Sequence, residues 1–172
     1  MINAPQSSGD NMEKPAKTIK PDKSFQANDD TLQRFVGYHL KRAFNVVQSD
    51  LTQTLKPFDL RMLTYSALVL IVDNPGLSQS QLADAMDIER PNLVVIVDEL
   101  EQRDLILRDR VPTDRRTYAL RATLKGQSLY KRAVAAVVAH EAALFAAIDH
   151  DTRNTIISVL RAIHAREGKT AT

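Results

Sequence analysis

The sequence contains no cysteine, which excludes disulfide staples, thiolate metal sites, cysteine nucleophiles and thiol-based redox sensing. Glycine is scarce, five in 172 residues, and none sits in a phosphate-cradling loop. His-Glu-x-x-His and Gly-x-Ser-x-Gly are also missing, so hydrolase and nucleotide-binding chemistry has no residues to carry it. An enzyme is therefore not expected, and neither is a cofactor. No apolar run is long enough to cross a bilayer. The first residues lack the apolar core and small-residue cleavage site of a secretory signal, so a cytoplasmic location is expected. A strong excess of one charge is missing too. The net charge of +2 is too small to imply nucleic acid by itself, and the distribution of charge must be read instead.

What is present is the composition of a globular domain, 44% hydrophobic and 26% charged. Residues 1–28 carry Pro5, Pro15 and Pro21 among polar residues and are expected to be a disordered tail ahead of one domain at 29–172. From Leu32, through Phe35, Val36, Leu40, Ala43, Val46 and Val47, apolar residues recur at helical spacing and predict a helix ending near Leu55, before Pro57. A second helix over 58–72 is apolar on most sides and stops at Asp73-Asn74-Pro75-Gly76. Ser78-Gln79-Ser80-Gln81 is a capping box that opens a short helix to about Met86. After the break Asp87-Ile88-Glu89, Pro91 suits the first turn of a new helix. Leu93, Ile96, Val97 and Leu100 give that helix one buried face.

Two helices joined by about three residues have helix-turn-helix spacing, a pattern many helical proteins share. The continuation sharpens it: strands over 105–110 and 117–121 flank the polar turn 111–116 and predict a hairpin. Thr123 then caps a long helix to about Ile148, and Asp151 or Thr152 caps a last one carrying Ile156, Ile157, Val159, Leu160 and Ile163. Between Arg103 and Arg132 nine basic residues face three acidic ones, a local excess that puts a basic patch on the hairpin or else an ordinary solvated surface.

From about residue 31 to 167 the chain resembles the MarR family of bacterial transcriptional regulators. Leu77 to Ala83 resembles the stretch before the family's recognition helix, and Leu93 to Glu101 resembles the core of that helix. Asp114, Arg116, Leu120, Thr123 and Gly126 match the wing signature Asp-x-Arg-x-x-x-Leu-x-x-Thr-x-x-Gly at full spacing. The resemblance implies a mainly α, winged helix-turn-helix fold, with a DNA-binding lobe at 57–122 and dimerisation helices at 29–56 and 123–168. It also implies a homodimer on a pseudo-palindromic operator, usually released by a small molecule. Three features depart from the pattern. Val94 and Val95 stand where polar or basic residues are common, the segment 81–101 is acidic, and the tail is long.

Carboxylates in the second half of the recognition helix would repel phosphates, so its N-terminal end is expected in the major groove. Arg90, beside Pro91, can donate to guanine or phosphate, and Asn92 can pair with adenine. Val94 or Val95 can touch a thymine methyl. The structural alternatives are a surface salt bridge or helix cap for Arg90 and Asn92, and packing for the valines. Ser78, Gln79 and Gln81 at a helix start are expected phosphate contacts. By resemblance Arg116 enters the minor groove, held by an ion pair with Asp114 and with Arg115 nearby; a hairpin-stabilising pair is the alternative. Arg108, Arg110 and Arg121 read as phosphate neighbours or solvated residues.

The family's effector pocket lies between its first, second and fifth helices, which implies Tyr38, His39, Arg42, Phe44, Phe58 and Tyr65 as effector-binding residues; core packing is the alternative for each aromatic. Such a lining suits an aromatic acid or its coenzyme A thioester, and Glu89 to Val94 looks like hydroxycinnamate-responsive members. Two other readings stay open. His39, His140, Glu141, His150 and His164 could converge on a metal, and a winged helix could serve protein assembly alone.

Overall fold

The computed structural model describes residues 28–111 and 114–165, with the side chains of 110–117 outside the description. The expected tail thus lies almost wholly outside the described residues. The chain divides into two compact units after His39. In the first, a 3-10 turn spans Leu32–Arg34 and Phe35 is extended, so the apolar repeat that predicts one helix is broken there. Asp29 accepts from the Tyr38 hydroxyl at 2.5 Å and from Gln33 Nε2 at 2.8 Å. Helix α1, Val36–Leu55, begins in this unit and continues into the second.

In the second unit the helix predicted from Phe58 starts later. Lys56–Phe58 is a 3-10 turn, and Asp59 adopts the left-handed conformation at φ 52°, which ends it and delays α2 to Met62–Asp73. Helices α3 (Gln79–Met86) and α4 (Arg90–Gln102) follow. Both expected strands are present: β2, Ile106–Val111, is shifted by one residue, and β3, Asp114–Ala122, is longer at both ends. A two-residue strand β1, Leu77–Ser78, which no local pattern announces, pairs antiparallel with β3, Leu77 opposite Leu120, giving the order β1-β3-β2. Helix α5, Leu124–Leu144, ends short of Ile148, and α6 spans His150–His164. Asp149, rather than Asp151 or Thr152, caps α6 and accepts from Thr152 N at 2.9 Å and Thr152 Oγ1 at 2.6 Å. These hydrogen bonds hold the Asp149 carboxyl below its usual range.

The core lies in the second unit, where Leu55, Leu68, Ile71, Leu82, Leu93, Leu100, Leu105, Ile106 and Leu120 are almost wholly buried. The Leu93, Ile96, Val97 and Leu100 repeat of α4 is buried as its spacing predicts. Thr64, the buried polar residue, is satisfied: its hydroxyl accepts from Arg61 N at 2.9 Å and donates to Arg61 O at 3.0 Å. The Ser78 box forms in full. Ser78 Oγ accepts from Gln81 N at 3.2 Å, and Gln81 Oε1 accepts from Ser78 N at 3.0 Å. Ser78→Ala is expected to cost about 1 kcal/mol in urea unfolding, the usual worth of such a cap; an unchanged midpoint would show that α3 is held by its neighbours alone.

Candidate nucleic-acid interface

Helix α4 sorts its residues by side. Its apolar repeat faces the core, while Pro91, Asn92, Val94 and Val95 are exposed, the two valines at 44% and 63%. Pro91 sits in the first turn after the N-cap Glu89, whose side chain makes no capping bond. Asn92 is therefore not the cap, and the packing alternative for the valines is not realised within this chain. Arg90 and the Asn92 side chain have no hydrogen-bond or ion-pair partner among the described residues. The N-terminal half of α4 thus presents a free cation, a free amide and two methyl-rich side chains to solvent. Ser78 and Gln81 spend part of their capacity on the cap, and Gln79 is half-buried at the start of α3.

The acidic character of α4 is answered from behind. Arg108, on β2, donates to Asp98 Oδ1, and its Nε lies 3.5 Å from Glu101 Oε2. Arg61 donates to Glu99, and Arg103 lies 3.8 Å from the same carboxylate. Arg108 is therefore paired and largely enclosed, not the solvated cation that is one of its two expected roles. Arg121 pairs with Asp109 at 3.2 Å. Arg110, and the Asp114, Arg115 and Arg116 side chains expected to work on the wing, lie outside the described side chains.

The second half of the wing signature has a clear physical basis. Leu120 is fully buried. Thr123 Oγ1 caps α5 by accepting from Gly126 N at 3.0 Å and donates to Asp104 O at 2.7 Å. A Cβ on Gly126 would lie 2.0 Å from the Leu105 carbonyl oxygen, so only glycine lets α5 approach β2 this closely.

Of the residues implied for an effector, Tyr38 is half-buried against Asp29, and exposed His39 places Nε2 2.8 Å from the Gln33 carbonyl that accepts from it. Phe44 is 46% exposed with the Lys41 ammonium 5.6 Å from its ring centroid, and Arg42 is exposed. Phe58 and Tyr65 pack against the core, and burial raises the Tyr65 phenol above its ordinary value. A groove of about 620 Å³ between α1, α2 and α4 is lined instead by residues that include Gln48, Thr52, Leu60, Leu63, Asn92 and Val95. Sequence reasoning missed it because its walls are ordinary core-flanking residues from three helices. Among the described residues no group of three or more histidine and acidic side chains could hold a metal ion.

Residues 60–118 match the MarR family model. A protein described as a transcriptional regulator for the hcr operon of Thauera aromatica is 35% identical over 136 residues, 78% of this chain and 82% of that one. The chain belongs to the MarR family. The expectations of a winged helix fold and of a transcriptional regulator without catalytic activity hold with it. Among MarR structures, the repressor CouR bound to a 23-mer DNA duplex is 35% identical and superposes with a TM-score of 0.78, covering 81% of this chain and 99% of that one. CouR from Rhodococcus jostii RHA1 bound to p-coumaroyl-CoA is 33% identical with a TM-score of 0.71, covering 77% and 93% of the two chains. No helix of the described residues is long and apolar enough to cross a membrane.

Proposed function

We propose that this MarR protein is a cytoplasmic homodimeric repressor that reads a pseudo-palindromic operator and leaves it when an aromatic acid or its coenzyme A thioester binds. The observation that carries the reading is the outward face of α4, where Arg90 and Asn92, without side-chain partners among the described residues, precede exposed Val94 and Val95. Arg90 and Asn92 supply guanine and adenine donors, the valines supply thymine-methyl contacts, and Ser78, Gln79 and Gln81 approach phosphate from the start of α3. Arg115 and Arg116 carry the wing into the minor groove, with Asp114 holding Arg116. The DNA-bound relative supports this assignment.

Dimerisation by the terminal helices is supported by α6, no residue of which is fully buried among the described residues and whose Ile156, Ile157, Val159, Leu160 and Ile163 are exposed. The lobes are assigned as 57–122 for DNA and 29–56 with 123–168 for the partner. An aryl thioester effector is supported by the relative bound to p-coumaroyl-CoA. The 620 Å³ groove is apolar enough to take an aryl group, which would there touch Asn92 and Val95.

The test is fluorescence anisotropy of a labelled duplex from the region upstream of the gene, across a salt series, with p-coumarate, p-coumaroyl-CoA and coenzyme A alone. Tight binding that weakens steeply with salt and is released by p-coumaroyl-CoA or p-coumarate, but not by coenzyme A, is the expected result. Duplex binding insensitive to all three compounds would overturn the effector class, and absence of binding at any salt would overturn the DNA reading.

A further inference from the structure

The exposed side of α4 carries more than Asn92, Val94 and Val95. Asp98 lies one turn beyond Val94 and Glu101 two turns beyond it, so both continue the Val94 stripe along the helix. Glu99 lies one turn beyond Val95 in the same way. A helix whose first half enters the major groove brings its second half beside the phosphate backbone, where three carboxylates would be repelled. The cations around α4 are arranged to prevent this. Arg90 at the N-terminus has no partner among the described residues. Arg61, Arg103 and Arg108, from three different parts of the chain, converge on the acidic end. Of these, Arg108 is the most enclosed, with its side chain only 23% exposed, and among the described side chains it alone pairs with two carboxylates of α4, Asp98 and Glu101, whereas Arg103 shares itself between Glu99 and Asp59.

We propose that Arg108 is the counter-ion that makes an acidic recognition helix compatible with DNA: it acts through Asp98 and Glu101, without itself touching phosphate. This rests on the DNA-binding reading above. Its signature is electrostatic, because removing the cation leaves two carboxylates bare, and neutralising those carboxylates should make the cation dispensable.

The experiment is duplex anisotropy, with the same labelled upstream fragment, on the full-length protein and four variants. Arg108→Met is expected to weaken binding roughly 10- to 100-fold, with the slope of log affinity against log salt unchanged. Adding Asp98→Asn and Glu101→Gln to Arg108→Met should restore affinity to within about threefold of the parent, although no ion pair can form. The carboxylate pair of substitutions alone, in a chain that keeps Arg108, should bind at least as tightly as the parent, and this arm stands even if Arg108→Met fails to fold. Arg108→Lys should lie between parent and Met. A triple variant as weak as Arg108→Met, a salt slope shallower by about one contact, ~0.9, or a tenfold loss in the carboxylate double variant would each overturn the proposal. A parent that binds no duplex would instead sink the DNA reading on which it rests.

Discussion

Gly126→Ala is expected to destabilise the protein by about 3 kcal/mol, the cost of forcing an atom into a packed contact that cannot relax. Elsewhere in a helix the same change gains roughly 0.5–1 kcal/mol, because alanine restricts the unfolded chain and favours helix. The sign reverses here because the new Cβ would stand 2.0 Å from the Leu105 carbonyl oxygen and 2.9 Å from its carbon. Neither is the end of a flexible side chain. That carbonyl also accepts from Thr123 N at 3.0 Å, while Lys125 Nζ donates to Arg103 O at 2.7 Å. Sliding the start of α5 away would therefore break the cap, the strand junction and the lysine contact together. Urea unfolding at one fixed protein concentration measures the effect, since dimer stability depends on concentration. A midpoint equal to or above the parent's would show that α5 can shift against β2 without cost.

Replacing Ile157 and Leu160 together by glutamate is expected to give a monomer whose affinity for the duplex falls by about 1000-fold. The two residues stand three apart on α6 and are 38% and 43% exposed. No residue of α6 belongs to the core cluster, so the substitutions remove nothing that folds the DNA lobe. Charges there would have to be desolvated against a second chain, at a cost few interfaces can meet. Once the lobes are separate, the second half-site is no longer bound at the effective concentration that linkage provides, a factor of roughly 10²–10⁴. Light scattering reports the mass, anisotropy the affinity, and circular dichroism the retained helix. A dimer with parental affinity would move the interface off this face of α6.

The elements with strong local chemistry were legible in the sequence. Ser78 and Gln81 announce the start of α3, Pro91 the start of α4, Thr123 the cap of α5, and the 93, 96, 97, 100 repeat the buried side of the recognition helix. What escaped reading depends on partners distant in sequence or on fine competition between neighbours. Strand β1 is only two residues and exists because Leu120 and Ala119 of β3 lie opposite. Phe35 breaks an apolar repeat that continues across it. Asp149 outcompetes Asp151 and Thr152 as a cap by taking both the amide and the hydroxyl of Thr152. Arg108 reads as a surface cation until the hairpin folds back and meets Asp98, ten positions earlier. The acidity of α4, a departure from the family pattern in the sequence, is resolved in three dimensions by arginines that no local pattern connects to it.

Strand β1 has a mechanical consequence. Through Leu77 and Ser78 it ties the start of α3 to the strand that leads out of the wing, with Gly76 N donating to Leu120 O at 2.9 Å. The arginine pairs tie the far end of α4 to the same hairpin. Among the described residues, reader helix and hairpin are thereby joined at two places, at the start of α3 and at the far end of α4. In a dimer carrying two such linked pairs, a small rotation at the root of each is magnified at the tip. On the proposed reading of a dimer on a two-part operator, release would then be a question of leverage, the reach between the two reader helices falling out of step with a half-site spacing of about 34–36 Å.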